Sequence, residues 1–420
     1  MTSASGNRPL KICLLTYRGN PASGGQGVYV RHLSKALIDL GHSVDVMSGP
    51  PYPHLDAGIK LHHLPGLDLY NPDHLFKVEK LRDLASPLNL YEFLSMCSGG
   101  FPEPYTFGVR VHKYLRKHSA GYDIVHDNQC LAYGIGRIAG LGIPTVATIH
   151  HPITVDKYEE IREARSVYHK MRIRRWYSFI RMQKKVAGKI SHIITVSECA
   201  KNDIAQEFAI KKSRFHVVPN GVNTEYFYPV QNPARPDNSL LVTNSADTPL
   251  KGLRYLLEAV ALLQKKRSIK LTVIGEPKKN GIIRRLVGEL GIGGIVHFTG
   301  RIKNEDFARY YAETTVAVVP SLYEGFGIPA AEAMACGVPL VSTSGGALPE
   351  VVGNAGIIVP PADAAALAHA IINLLDNPDY RNRLAGAGLA RVKAVFNWQR
   401  AAQDVVSVYR EAINGYDRRS

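Results

Sequence analysis

The chain has 420 residues, 45% of them hydrophobic and 21% charged, and a formal net charge of +15 at pH 7. This is the make-up of a globular protein with room for two domains, each burying its own core, and no apolar run approaches the roughly 20 residues that span a bilayer. The five cysteines, at 13, 97, 130, 199 and 336, are odd in number and lack metal-ligand spacing, so they read as reduced thiols of a cytoplasmic protein, while the charge asks for an anionic partner: nucleic acid, an anionic membrane surface or an anionic small molecule.

In chain order, residues 10–17 read as a first strand rather than a signal sequence. A loop and a helix follow, the helix carrying Val30, Leu33, Leu37 and Leu40 on one face and stopping at Gly41. Consecutive Gly24 and Gly25 in the loop let a backbone N–H approach a phosphate or a sugar. Further strands are predicted at 42–48, 123–126, 144–150, 192–197 and 214–219, and the alternation implies a parallel sheet with helices on both faces. His126 and Asp127 close one of these strands, and His150 and His151 close the next. A lone histidine at a strand end is usually structural; two at a ligand-facing edge suggest a site.

The stretch 64–118 has little periodicity. It reads as an irregular, aromatic-rich insertion, either an acceptor site or lid that includes Tyr105, or a surface excursion packed by its own aromatics. Residues 170–189 hold eight Lys or Arg and no acid, with Ile173, Trp176, Tyr177 and Ile180 at helical spacing. Such a helix can lie on an anionic membrane, or pack its apolar face on the sheet and leave its charges solvated. No nucleic-acid motif accompanies it.

Turn formers and prolines mark 221–239 as a linker. A second alternating series follows, with strands at 240–244, 271–275, 295–299, 316–320, 339–343 and 356–359, an amphipathic helix at 362–375 and a last helix at 398–413. Lys251 is read as opening a helix, where it opposes the helix dipole unless an anion is nearby. In Ser321-Leu-Tyr-Glu-Gly-Phe-Gly-Ile-Pro-Ala-Ala-Glu-Ala-Met-Ala-Cys-Gly337, Pro329 suits a first helical turn. None of Gly325, Phe326, Gly327 and Ile328 is a side-chain cap, which leaves the first N–H groups for an anionic ligand. Glu324 is placed at the strand end and Glu332 in the first helical turn.

This string resembles the Glu-x7-Glu signature of the retaining family 4 glycosyltransferases. The resemblance implies an α/β GT-B fold: two doubly wound, Rossmann-like domains facing a cleft, here 1–220 on the acceptor side and 240–395 on the nucleotide-sugar side, with 396–420 crossing back to the first. It implies transfer of a sugar from a nucleoside diphosphate (a GDP- or UDP-sugar) to a hydroxyl acceptor, which in this family can be a glycan, a glycolipid or a small molecule. By the same resemblance Glu332 holds the ribose, Glu324 orients the transferred sugar, Lys251 meets the pyrophosphate, and Gly24, Gly25 and the 325–328 turn approach the donor. His150 lines the reaction centre, with Asp127, His151 and Tyr105 on the acceptor side. The chain departs from the pattern where an arginine usually precedes the lysine: Asn244, Ser245 and Ala246 stand there, so Ser245, Arg254 or Arg301 has to compensate. No Asp-x-Asp pair occurs, so neither a metal nor another cofactor is expected. A cytoplasmic enzyme, peripheral on the inner membrane face where its acceptor is lipid-linked, fits this reading. A sugar-nucleotide epimerase of the same fold, a non-catalytic sugar-nucleotide or membrane-binding subunit and a basic nucleic-acid-binding protein are the rivals.

Overall fold

The computed structural model describes residues 8–20, 25–71, 78, 81–118, 121–164, 166–231, 235–243 and 248–417. The chain divides into two compact units. One comprises residues 1–196, 201–218 and 398–420; the other comprises 197–200 and 219–397.

The first unit is built on a parallel sheet of seven strands in the order β3-β2-β1-β4-β5-β6-β7. In chain order these are β1 (Lys11–Thr16), β2 (Ser43–Ser48), β3 (Lys60–His63), β4 (Ile124–Asn128), β5 (Thr145–Thr148), β6 (Ile193–Thr195) and β7 (Phe215–Val217). Its helices are α1 (Gly25–Asp39), α2 (Pro87–Cys97), α3 (Glu103–His118), α4 (Thr154–Glu163), α5 (Val167–Trp176), α6 (Ile180–Ala187), α7 (Glu198–Phe208), whose first turn belongs to the other unit, and a final helix (Trp398–Asp417). The central strands are buried on both faces, as parallel sheets require. Ile12, Leu14, Val46, Ile124 and Val146 form one core with Val30, Leu33 and Leu37 of α1. Ala402, Val405 and Tyr409 of the final helix fill the same core.

One expectation for this unit is corrected. The stretch 64–118 is not irregular, since α2 and α3 occupy much of it. Met96, Phe107, Val111 and Leu115 are buried there at helical spacing, but Glu92, Ser95, Thr106 and Gly108 share the buried face and blur the apolar pattern. Gly108 is needed there, as a Cβ would stand 2.3 Å from that of Ala132. In 170–189, Ile173, Tyr177 and Ile180 form a small buried cluster with Ala164, and Trp176 packs partly buried against it, as in the packed alternative. The outer surface of α5 instead carries its charges with Val167, Tyr168 and Met171. Among the described residues no helix is long and apolar enough to cross a membrane.

The second unit has a six-stranded parallel sheet in the order β10-β9-β8-β11-β12-β13. The strands are β8 (Ser239–Thr243), β9 (Lys270–Ile274), β10 (Val296–Phe298), β11 (Val316–Val319), β12 (Leu340–Thr343) and β13 (Ile357–Val359). The helices are α8 (Leu253–Leu263), α9 (Ile282–Glu289), α10 (Phe307–Ala312), α11 (Ile328–Ala335), α12 (Leu348–Val352), α13 (Ala364–Asp376) and α14 (Pro378–Val395), which makes the final helix of the chain α15. Leu256, Leu257 and Val260 of α8 and Leu367, Ile371 and Leu374 of α13 cover one core with Leu271, Val273, Val316 and Val318. In each unit the strand order reverses beside the first strand, at β1/β4 and at β8/β11. Ligands of open α/β sheets bind at such a point, beyond the carboxyl ends of the strands.

Candidate active site

In the second unit the chain leaves β11 through Pro320 and Ser321 into the glycine-rich turn. Glu324 is only 8% exposed. Its Oε1 accepts from Lys251 Nζ at 2.7 Å and from Ser321 Oγ at 2.8 Å. The backbone of the turn is clamped from below: Ala347 N–H donates to the Glu324 carbonyl at 2.8 Å, and Thr343 Oγ1 donates to the Ser321 carbonyl. Gly345 and Gly346 make that clamp possible, because Cβ atoms there would stand 2.6 Å from the Leu322 oxygen and 2.3 Å from the Glu324 oxygen. Sequence reasoning missed this Ser-Gly-Gly loop after β12; glycines just past a buried strand were the available signal.

Lys251 does not open a helix. It closes a short 3-10 turn, Pro249–Lys251, and Gly252, with φ of 64°, starts α8 after it. The expected conflict with the helix dipole is thereby eased. Leu322 N–H donates to the Leu250 carbonyl at 2.7 Å, which docks the lysine turn on the β11 loop. A Cβ on Gly252 would lie 2.0 Å from the Pro320 oxygen. Gly252→Ala is therefore expected to lose about 1–2 kcal/mol of stability from the left-handed backbone alone, and more from the clash. Urea unfolding is the measurement, and an unchanged midpoint would contradict the close approach.

Gly327, with φ of 100°, precedes α11, and no side chain caps that helix. The N–H groups of Ala330 and Ala331 turn back to the Gly327 carbonyl and Pro329 has none, so the donors facing a ligand are fewer than expected, at the Gly327–Ile328 end. Gly325 and Ile328 are partly exposed. Phe326 is buried and meets Phe396 edge-on at 5.5 Å, so its side chain anchors the turn and only its backbone is available. Glu332 falls in the second turn of α11, not the first, because the helix begins at Ile328. It keeps part of its surface open, yet its depth pushes its carboxyl up to about 8.

Of the compensating residues, Arg301 is exposed just past β10, while Arg254 turns along α8 to Glu258 at 2.9 Å. Its guanidinium is thus a surface i,i+4 partner, with the side chain 63% exposed. Ser245, with Asn244 and Ala246, lies outside the described residues, as does Gly24. Gly25 opens α1 with open space around it. Nearby, Gly27 is the tighter position, since a Cβ there would stand 2.3 Å from the Asn20 oxygen.

In the first unit His150 follows the carboxyl end of β5. Its Nε2 bonds Asn128 Oδ1 at 2.8 Å, and its backbone N–H donates to Gln129 Oε1 at 2.8 Å. Asn128 Nδ2 donates to the Gln26 carbonyl at 3.1 Å, which fixes the amide orientation. Oδ1 can only accept, so the imidazole proton sits on Nε2 and leaves Nδ1 as an acceptor. Tyr29 meets the ring edge-on at 4.7 Å. Burial, then the nearby His151, lowers the His150 pKa to about 3, so the ring is neutral near pH 7. Asn128, Gln129 and Tyr29 escaped the sequence reading, because pairing across adjacent strands has no local signature.

The other candidates on this unit divide. Asp127 is a correction: it is fully buried, and its Oδ2 accepts from Leu131 N–H at 2.8 Å. It braces a turn in which Gln129 and Leu131 have positive φ, out of reach of any acceptor. His126 is also internal, bonded to Tyr409 and Thr148 at 2.6 Å each. His151 is partly exposed and bonds Asp156 at 2.9 Å. Tyr105 is partly exposed on α3 against Tyr91.

Residues 23–226 match the family model described as Glycosyltransferase Family 4, and residues 237–377 match that described as Glycosyl transferases group 1. The chain is 44% identical over 408 residues to the MMP alpha-(1->4)-mannosyltransferase of Mycolicibacterium hassiacum, covering 96% of this chain and 98% of that one. It belongs to glycosyltransferase family 4. Another member with which this family 4 chain aligns is the D-inositol 3-phosphate glycosyltransferase of Streptomyces bingchenggensis, at 27% identity over 98% of this chain and 92% of that one. Among solved structures, sucrose-phosphate synthase from Thermosynechococcus elongatus superposes with a TM-score of 0.72 at 27% identity, covering 97% of this chain and all of that one. Anabaena HepE in complex with UDP and glucose shares the fold, with a TM-score of 0.69 at 16% identity over 95% of this chain and 98% of that one. The chain is thus a two-domain GT-B glycosyltransferase.

Proposed function

We propose that this glycosyltransferase moves an α-mannosyl group from a nucleoside-diphosphate mannose to a hydroxyl of a mannose-type glycan, with retention at the anomeric carbon and without a metal. The observation that carries the reading is the part-buried Lys251–Glu324–Ser321 set at the carboxyl end of β11, in a chain 44% identical to an alpha-(1->4)-mannosyltransferase. An ammonium has three donors, so Lys251 can serve Glu324 and a phosphate oxygen together. In this reading Lys251 and the Gly327–Ile328 turn carry the charge of the departing diphosphate. Glu332 accepts from the ribose hydroxyls, and Glu324 orients the hydroxyls of the mannosyl group. His150 Nδ1 accepts from a sugar hydroxyl. As the bond from the anomeric carbon to the phosphate oxygen breaks, the acceptor oxygen bonds to that carbon from the same face. Its proton passes to the leaving phosphate, and an α-donor gives an α-product.

A panel of nucleoside-diphosphate sugars tests this by thermal stabilisation, since a ligand of the native state raises the melting temperature. A mannose donor is expected to stabilise most and, with an α-mannoside acceptor, to give an α-linked product by NMR. Epimerised donor without transfer would replace the reading by an epimerase, and binding with neither transfer nor slow hydrolysis by a non-catalytic subunit.

A further inference from the structure

A second group of ligating side chains lies in the first unit, away from the histidine just described. His192 immediately precedes β6, His216 is the middle residue of β7, and Glu411 lies on α15. His192 Nδ1 is 3.1 Å from His216 Nε2, and the two rings stack with centroids 5.3 Å apart. His216 Nε2 is 4.0 Å from Glu411 Oε2, and one ligand atom from each of the three residues falls within 4.8 Å of the others. The register of β5 and β6 pairs Ala147 with Ile193. His192 therefore lies at the amino ends of these strands and His150 beyond their carboxyl ends, about four residues or roughly 13 Å apart along the strands.

Two imidazoles alone could share one N–H···N bond. The carboxylate brought beside them from a distant helix is what a histidine pair does not need and a cation does. In a tetrahedral zinc site the bonds to imidazole nitrogen are about 2.0–2.1 Å, which puts neighbouring donors about 3.3 Å apart by geometry. The nitrogen–nitrogen edge is already near that length. The Glu411 side chain is 55% exposed, so it can turn to shorten the other edges. Lys201 opposes a cation here, and Glu411 offsets it. A cavity of about 270 Å³, lined by Lys189, Ser191, His192, Gly415 and Tyr416 among others, borders His192.

We infer that His192, His216 and Glu411 form a structural divalent-cation site of the zinc class, which fastens α15 to the edge of the first sheet. The site is independent of the donor chemistry, so chelation should cost stability and not the chemical step.

Tag-free, chelator-stripped full-length protein titrated with zinc chloride is expected to take up one equivalent and to melt higher, with magnesium chloride giving neither effect. Cobalt(II) in its place should show the visible absorption of a four-coordinate site. His216→Ala should weaken zinc binding at least about tenfold, since even the loss of an outer partner costs metal sites 10- to 100-fold. Glu411→Gln, at an exposed position, should do the same should the histidine variant not fold. Nucleoside-diphosphate-sugar binding should be the same with and without zinc. Absence of stoichiometric uptake by the wild type, or uptake unchanged in both variants, would overturn the inference.

Discussion

Lys251→Ala is expected to lower kcat by about 10²- to 10³-fold, the range seen when one preorganised donor to a developing negative charge is removed. The ammonium is held 2.7 Å from Glu324 Oε1, with the lysine side chain 32% exposed and that of Glu324 10% exposed. Solvent and salt therefore screen it less than a surface lysine. Alanine removes the charge and also leaves the Glu324 carboxylate without its counter-ion beside an anionic leaving group. Both effects grow as the bond to the phosphate breaks, so kcat should fall further than donor affinity does. Lys251→Arg should recover only part of the rate, because a planar guanidinium does not reproduce a compact ammonium. Steady-state kinetics at saturating acceptor, with donor binding measured by calorimetry, separate the two effects. A kcat within a few-fold of wild type would remove Lys251 from the leaving-group role.

Donor affinity is expected to rise with pH up to about 8, and Glu332 is the reason. Burial raises its carboxyl from an ordinary 4.5 to about 8, so at pH 7 most unliganded molecules carry it protonated. Ribose hydroxyls donating to a carboxylate favour the ionised form, so donor binding releases a proton. The dissociation constant should then fall by up to about tenfold per pH unit below 8 and level off above it. The linkage runs the other way for folding. A carboxyl whose native pKa is raised does not penalise stability below 4.5, and its burial becomes progressively unfavourable as pH rises toward 8. Glu332→Gln should abolish the pH slope and weaken binding by about 100-fold at pH 8, the cost of two hydrogen bonds to a charged acceptor. Calorimetry from pH 6.5 to 9 checks this; a flat wild-type profile would count against the ribose assignment.

Most of the sheet was legible in the sequence because its strands are short apolar runs bounded by turn formers. β3 was not: Lys60–His63 is an edge strand whose residues are all partly or fully exposed, so burial imposes no pattern on it. α2 and α3 escaped for the opposite reason: polar and small residues (Glu92, Ser95, Thr106, Gly108) are buried among Met96, Phe107, Val111 and Leu115 and blur the apolar stripe. The Glu-x7-Glu stretch was read as a turn between a strand and a helix, and it does join β11 to α11. It gave the wrong helical position for Glu332, because α11 begins at Ile328 and not later. Lys251 was misplaced by two residues, since Pro249 suits a 3-10 turn as well as the start of an α-helix and the left-handed Gly252 separates the two. His150 was found as a strand-end residue, but the state of its ring depends on Asn128 and Gln26, which only the fold brings together.

The placement of α15 carries a consequence for synthesis. Ala402, Val405 and Tyr409 complete the core of the first unit, yet they are made about 180 residues after Val218, where the earlier part of that unit ends. At roughly 5–20 residues per second this is a delay of about 10–40 s on the ribosome. Throughout that interval the part of this core that α15 covers, including the site where Tyr409 meets His126, lacks its partner, while α1 covers the rest. The second unit is complete by residue 397. The half of the enzyme begun first is therefore the half that finishes folding last, and the nascent chain has to be kept from aggregating on that open face.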